Sequence, residues 1–358
     1  MPLQFPFETP PARVCILRLS AIGDTCHVVP LLHRLQQAWP LTRFTWVIGR
    51  LEARLMSLLP DVEFITVDKR ADRSAQAALR ARLQATHFDL LLHLQVALRA
   101  SFIARRIPAH VKLGFDRARA RELQWLFTTH RVLPRAREHV LDSFQGYADA
   151  LGLPRVPLDH ALPLPAAAVD YAQTLIPAGQ ATLVVSPCSS HALRNWRPER
   201  YAAVIDHAQR DLGLKVILCG GPSPAERDMG AAIEAAITTP VVNQIGRDTL
   251  PQMLALLTRA TVLLSPDSGP AHMGTLAGVP VIGLYAATNP ARSGPYLSRA
   301  WTVDRYDDAA RRYCGRAAAQ LAWTRKIEVP GVMDLITVDD VKDRLKALAN
   351  AGLLGSRA

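Results

Sequence analysis

Ala260-Thr261-Val262-Leu263-Leu264-Ser265-Pro266-Asp267-Ser268-Gly269-Pro270-Ala271-His272-Met273-Gly274-Thr275 is the stretch around which the rest of the chain is organised. Its first five residues are apolar and β-branched, the pattern of a strand buried in a parallel sheet. Residues 271–277 are small and compatible with a helix, and Pro270 suits a first helical turn. A strand, a tight turn of Asp, Ser and Gly, and a helix start expose N–H groups at the positive end of a dipole. That geometry binds phosphate or another anion. Asp267, at the carboxyl end of the strand, would hold a neutral hydroxyl-rich group beside the anion. The same residues also spell an ordinary β–α turn in which Asp267 or Ser268 caps the helix.

Working outward, the C-terminal half repeats the alternation. Strands are expected over 182–186, 215–219 and 279–285, and helices over 200–211, from 226, and over 250–258. The second strand ends in Gly220-Gly221-Pro222. A final amphipathic helix over 338–349 starts at Thr337, with Asp340 three residues on as a weak capping box.

The N-terminal half reads the same way. Val14-Cys15-Ile16-Leu17-Arg18-Leu19 is a buried strand, Ser20 to Thr25 a turn, and Val28, Leu31, Leu32 and Leu35 have helical spacing. Gly23 permits close backbone approach, and Asp24 or Thr25 would cap the helix. Strands follow over 44–48, 63–67, 89–94 and 111–115, separated by a helix over 51–59, a helix that Lys69, Arg70 and Arg73 lead into and that runs to about Ala85, and a helix over 95–106. Regular βαβ units mean a parallel sheet, whose ligands sit at the carboxyl ends of the strands. That rule lines up Ser20 to Thr25, Lys69 to Arg73, and Gln95 to Arg99.

Prolines at 154, 157, 163, 165 and 177 mark a linker. The expected organisation is therefore α/β: two Rossmann-like, doubly wound parallel-sheet domains facing a central cleft. A loose leader covers 1–12, the first domain 13–172, the second 173–335, and a helix and tail 336–358. The length of 358 residues fits two domains, and an apolar share of 49% supplies two cores. Sugar-nucleotide transferases, periplasmic binding proteins and some dehydrogenases share this outline.

Other classes fall away. No run of 18 apolar residues suggests a membrane span, and the N-terminal residues lack the basic and apolar regions of a secretion signal. Five scattered cysteines form no CxxC pair, which argues against structural zinc or a disulfide framework and fits a reducing cytoplasm. There is no fixed-period repeat, no GxGxxG fingerprint and no GxxxxGK[ST] loop. The net charge is +11, and 41–135 alone carries 17 Lys and Arg against 8 Asp and Glu. Such an excess favours an anionic partner. Nucleic acid is a poor fit, because no basic–aromatic interleaving is present.

Several stretches, in order and at the right separations, resemble the ADP-heptose–lipopolysaccharide heptosyltransferases of glycosyltransferase family 9. The carriers are Leu19-Ser20-Ala21-Ile22-Gly23-Asp24, Leu94-Gln95 with Arg99, and Arg194-Asn195-Trp196-Arg197-Pro198. The most specific is Pro266-Asp267-Ser268-Gly269-Pro270-Ala271-His272, followed by Gly283-Leu284-Tyr285 and Thr288-Asn289-Pro290. The resemblance spans about 14–348. It implies a GT-B fold, an inverting and metal-independent mechanism without a cofactor, and ADP-heptose as donor.

By that resemblance Asp24 matches the catalytic base. Arg194 stands where many members have a lysine on the donor diphosphate, which keeps the charge and alters the geometry. Glu226 aligns with a glutamate on the adenosine ribose, Asp267 with the residue on the heptose hydroxyls, and Ser268, Gly269, Pro270, Ala271 and His272 with the phosphate turn. On the acceptor side stand Ser20, Lys69, Arg70, Arg73, Gln95, Arg99 and Arg121, the last paired with Glu122. They would meet a phosphorylated lipid A–Kdo or lipopolysaccharide core at the cytoplasmic face of the inner membrane.

Each residue also has a structural reading. Asp24 would be an N-cap, His272 a packed histidine, Trp196 a core residue, and Lys69, Arg70 and Arg73 a solvated helix face. Two rivals stand beside the heptosyl transfer: a family member with another nucleotide sugar or acceptor, and a non-catalytic bilobed binding protein.

Overall fold

The computed structural model describes residues 9–68 and 72–355. The chain forms two compact units, Met1–Pro163 and Leu164–Ala358.

The first unit carries β1 (Arg13–Leu17), β2 (Arg43–Gly49), β3 (Val62–Val67), β4 (Phe88–His93), β5 (Ala109–Gly114) and β6 (His130–Arg131). They pair in parallel in the order β3-β2-β1-β4-β5-β6. Val14 of β1 is paired to Phe44 on one side and Leu90 on the other. Apolar strands form the centre because helices cover both faces, so consecutive residues such as Leu90, Leu91 and Leu92 are all buried.

The second unit repeats this with β7 (Thr182–Val185), β8 (Lys215–Leu218), β9 (Val242–Asn243), β10 (Val262–Pro266), β11 (Val281–Tyr285) and β12 (Val303–Asp304). Its order is β12-β11-β10-β7-β8-β9. Numbered within each unit, both sheets have the order 3-2-1-4-5-6 of a doubly wound nucleotide-binding fold. Each therefore has a switch point where the chain returns to the sheet's middle: β1 beside β4 in the first unit, β7 beside β10 in the second.

Three boundaries differ from the sequence expectation. The expected domain limit at 172/173 falls inside the helix Ala166–Leu175, and the units divide at Pro163–Leu164. Ala168 and Ala172 of that helix are buried against Ala255, so it packs with the second unit. Of the expected leader, residues 11 and 12 are tied down: Thr42 Oγ1 donates to Pro11 O at 2.6 Å and Arg43 N to Ala12 O at 2.9 Å. The expected helix over 95–106 begins only at Leu98, since Gln95 to Ala97 form a turn whose groups serve the site.

The last helix, Val338–Asn350, has the capping box its sequence spells. Asp340 N donates to Thr337 Oγ1 at 3.1 Å and Thr337 N to Asp340 Oδ2 at 2.9 Å. Leu345 and Leu348 fasten the helix to the second core. Trp196 is a core residue: it is buried, donates from Nε1 to Ile336 O at 3.0 Å, and meets Tyr201 edge-on at 5.2 Å.

Candidate active site

The first unit's switch point is built on Arg18, the residue that follows β1. A cation at the end of a buried strand needs partners, because an unpaired buried charge costs several kcal/mol. Arg18 Nη1 donates to Leu94 O, beyond the end of β4, at 2.7 Å, and Nη2 pairs with Asp24 Oδ2. Its guanidinium carbon lies 5.5 Å from the centre of the Phe144 ring.

Asp24 sits in the short helix Ile22–Cys26, which follows a cis Ser20–Ala21 peptide. Ala21 N reaches the same Asp24 oxygen, Oδ2, at 3.4 Å. Both bonds go to one oxygen, which leaves Oδ1 for another proton. The side chain is 35% exposed, so that oxygen can be reached. The N-cap reading of Asp24 therefore does not hold: it stands at the third helical position and reaches back to the amide before the helix.

The loop is held by Gln95, whose Oε1 accepts from Leu19 N at 2.7 Å. Gln124 supports Gln95 in turn, donating from Nε2 to the carbonyls of His93 at 2.8 Å and Gln95 at 3.2 Å. Gln95 is thus a brace for the Asp24 loop. Beneath it His93 is buried, with Nε2 3.1 Å from Ser101 Oγ. Burial, with the charges of Lys112 and Arg18, pushes His93 down to about 3, so its ring stays neutral.

Beside this loop an open cavity of about 500 Å³ is lined by Leu19, Gly49, Arg50, Arg54, Asp68 and Arg99. Arg99, which the sequence reading set on the acceptor side, is part of its lining. Arg50 and Arg54 are additions that the sequence reading missed; both fall in the helix Arg50–Met56, whose apolar pattern drew the attention. Arg50 pairs with Asp68 at 3.1 Å. Arg121 is exposed, and so is its neighbour Glu122, which accepts from Leu98 N at 2.6 Å. Lys69 and Arg70 lie outside the described residues. Arg73 opens the helix Arg73–Gln84, which Asp72 caps by accepting from Ala75 N at 2.8 Å.

The second unit's switch point brings together the stretch from which the sequence was read. Asp267 follows β10, and Ser189, beyond β7, donates from its hydroxyl to Asp267 O at 2.8 Å. Ser268 caps the helix Gly269–Leu276 with extended backbone and makes no side-chain cap bond; its hydroxyl instead lies 2.8 Å from Ser265 Oγ. Pro270 lies in the first turn, so the start of the helix turns its amides outward with no side chain folded over them. The helix packs so closely on the sheet that a methyl group at Gly274 would lie 2.6 Å from Val281 Cγ2.

Arg194 stands against this turn. Its Nη1 lies 3.2 Å from Asp267 Oδ2, while Nε and Nη2 donate to Glu328 Oε1 at 2.8 and 2.7 Å. Burial would raise the Glu328 carboxyl, but the hydrogen bonds and charge of Arg194, with Lys326 and His191, outweigh it and hold it below its ordinary value. The ring of His191 lies 3.6 Å from Glu328 Oε2. His272 is buried in the helix with Nε2 4.0 Å from Asp267 Oδ1, so it backs the carboxylate rather than lining an open turn. Tyr285, also buried, donates to Ser293 O at 3.1 Å; burial and then the charge of Asp267 raise its hydroxyl well above the ordinary value.

Glu226 lies along the same rim, since β8 neighbours β7. In this structure its carboxylate folds over the glycine turn, accepting from Gly221 N at 2.5 Å and from Ser223 Oγ at 3.1 Å. A side-chain carbon at Gly220 would come within 2.7 Å of Glu226 Oε2 and push that carboxylate off the turn. Among the described residues, no group of three or more His, Cys, Asp or Glu side chains gathers as a metal site.

Two doubly wound parallel sheets of this order, one with an arginine-held carboxylate at its switch point and the other with an open helix start beside an Arg–Asp pair, fit a glycosyltransferase of GT-B architecture. Residues 76–313 match the model of glycosyltransferase family 9 (heptosyltransferase). The chain is 36% identical over 348 residues to the lipopolysaccharide core heptosyltransferase OpsX of Haemophilus influenzae, covering 97% of this chain and 99% of that one. It belongs to glycosyltransferase family 9.

Solved structures carry the same fold. A family 9 glycosyltransferase from Veillonella parvula superposes with a TM-score of 0.76 at 23% identity, over 96% of this chain and 97% of that one. The Escherichia coli heptosyltransferase WaaC, solved with ADP, gives 0.72 at 22% identity, over 94% and 99%. Its complex with ADP-2-deoxy-2-fluoro heptose gives 0.71 at 21%, over the same shares.

Proposed function

We propose that this enzyme transfers heptose from ADP-heptose to the inner core of lipopolysaccharide, with inversion and without a metal. The carrying observation is the second switch point, where Arg194 meets Asp267 at 3.2 Å just ahead of a helix start that has no side-chain cap bond. A diphosphate suits the helix amides and the guanidinium, and Asp267 suits the hydroxyls of a sugar attached to it. The ADP-heptose analogue bound by WaaC and the lipopolysaccharide-core activity in the name of OpsX support the same donor and acceptor.

In the reaction Asp24 takes the proton of an acceptor hydroxyl, and the oxygen left behind attacks the anomeric carbon. The bond from that carbon to the donor phosphate breaks, and its electron pair leaves with ADP. Arg194 and the amides of the Ser268–Ala271 turn offset the charge that collects on the diphosphate. Arg18 fixes the rotamer of the base. Glu226 would exchange its bond to the glycine turn for the adenosine ribose, and Ser20, Arg99, Arg121 and the basic stretch Lys69, Arg70 and Arg73 would receive the phosphorylated lipid A–Kdo acceptor. The place of work would be the cytoplasmic face of the inner membrane; no helix among the described residues is long and apolar enough to cross it.

The test is a thermal-shift panel of ADP, ADP-heptose, UDP and GDP, each with and without EDTA. A ligand bound only by the native state raises its stability by mass action. Stabilisation by ADP, more by ADP-heptose, and none of it sensitive to EDTA, is the expected result. A response to UDP or GDP alone would discard the heptose donor.

A further inference from the structure

The helix Leu98–Arg106 and the short helical turn Gln124–Phe127 pack together in the first unit. Phe102 meets Phe127 edge-on at 5.7 Å, and Glu122 binds the Leu98 amide, so the two segments present one face. On it Phe102 is 49% exposed, Leu123 53% and Leu126 58%. A cluster of large apolar side chains left in water marks an interaction site, whereas single ones would not.

The surrounding charge is mostly positive. Arg99, Arg105, Arg106, Arg117 and Arg131 are all exposed. Of the two acids of this segment, Asp116 is buried against Arg119, and Glu122, although exposed, accepts from the Leu98 amide. Arg117 lies 4.8 Å and Arg131 6.0 Å from the centre of the Trp125 ring. Phe102 also stands between two open cavities. One, of about 550 Å³, has an apolar floor that includes Leu79, Leu83 and Ile103 and a charged rim of Asp68, Arg80 and Arg106; the other, of about 780 Å³, includes Arg105, Arg106 and Lys112.

We propose that this face docks on the surface of an anionic phospholipid bilayer. Phe102, Leu123 and Leu126 enter the headgroup layer, and the arginines meet lipid phosphates at its edge. Apolar and aromatic side chains ringed by arginine match the chemistry of that boundary, where an apolar face is buried and cations meet anionic headgroups. A polyanion in solution would satisfy the arginines and leave the leucines and Phe102 exposed. The proposal deepens the functional reading above and rests on it in one respect: a lipid-anchored acceptor is encountered at a bilayer.

The experiment is sedimentation of the full chain with vesicles that contain no acceptor. One set is phosphatidylcholine alone; the other contains phosphatidylglycerol. Each arginine near an anionic surface strengthens binding about fivefold. Binding should therefore be at least about tenfold tighter to the phosphatidylglycerol vesicles and should weaken with salt. The pairs Phe102→Ser with Leu126→Ser, and Arg105→Gln with Arg106→Gln, should each weaken it by about tenfold or more. Both should keep the thermal midpoint and the rate on a delipidated, water-soluble acceptor. Equal binding to both vesicle types, no binding, or variants that bind like the parent would overturn the proposal. Transfer that fails on every acceptor while vesicle binding behaves as described would refute the enzymatic reading and leave the docking face standing.

Discussion

Arg194 binds Glu328 through two nitrogens, at 2.8 and 2.7 Å, and turns its third towards Asp267 at 3.2 Å. One edge of the guanidinium is thereby clamped by a residue outside the Asp267–Ala271 turn. The segment that bears Glu328 is itself pinned by the Ile327 amide, which donates to Ala287 O at 2.8 Å. A lysine could not divide its contacts in this way, because it lacks the planar fork.

Glu328→Ala therefore should release Arg194 to its free rotamers and slow transfer. An ordered arginine gives up to about 2 kcal/mol of side-chain entropy, so a loss of about tenfold or more is expected. Glu328→Gln keeps an oxygen for both hydrogen bonds and should stay within about threefold of the parent, since only the charge is removed. Steady-state rates on the two variants separate clamping from charge; equal losses would show that the charge itself is needed.

Asp267→Ala should leave ADP binding nearly unchanged and remove the extra stabilisation that ADP-heptose gives over ADP. The backbone of this turn is held by the Ser189 hydroxyl and by β10, not by the Asp267 side chain. Melting curves with each ligand check it. A variant that loses ADP binding as well would place the carboxylate in the diphosphate contact.

Gly274→Ala should destabilise the second unit by about 1–3 kcal/mol, the cost of overpacking a filled core. The added methyl would meet Val281 Cγ2 at 2.6 Å and Leu263 Cδ2 at 3.1 Å. Chemical denaturation reads the change. A neutral result would mean that the helix Gly269–Leu276 can back away from the sheet.

His93 makes stability depend on pH in a stated direction. Its folded value of about 3 lies below the ordinary value of 6.5, so between them the unfolded chain binds the extra proton and acid favours unfolding. From pH 6.5 to 5 this amounts to about 2 kcal/mol at most. Denaturation midpoints should fall over that range in the parent and fall less in His93→Gln. The same fall in both would assign it to other groups.

The sheets were legible in the sequence because their central strands are buried on both faces, and runs such as Leu90 to Leu92 or Val262 to Leu264 can be little else. The edge strands β6, β9 and β12 have two residues each and no periodicity to read. The helix Ala166–Leu175 was hidden by the prolines before and after it, one of which, Pro165, serves as its N-cap residue. The polar helix Tyr306–Cys314 and the helix Val140–Ala150 were passed over too.

Asp24, Gln95 and Asp267 stood out because each follows a strand that flanks a switch point, where topology concentrates ligand contacts, whereas Arg194 was named only by the family resemblance. Glu328 was not named, since it reaches Arg194 across 134 residues with no motif around it. Arg18 had a signal that was available and unused: a charge at the end of a strand otherwise made of buried residues needs an internal partner, and Asp24 is that partner.

The central claim is that Asp24 is the base, and it is tested by measuring heptose transfer and ADP affinity side by side in Asp24→Asn and Asp24→Ala. Loss of a positioned general base lowers the rate by about 10²–10⁴-fold. The account predicts a loss of that order in both variants with ADP affinity unchanged. Substantial transfer by either variant, with its fold intact, would contradict it.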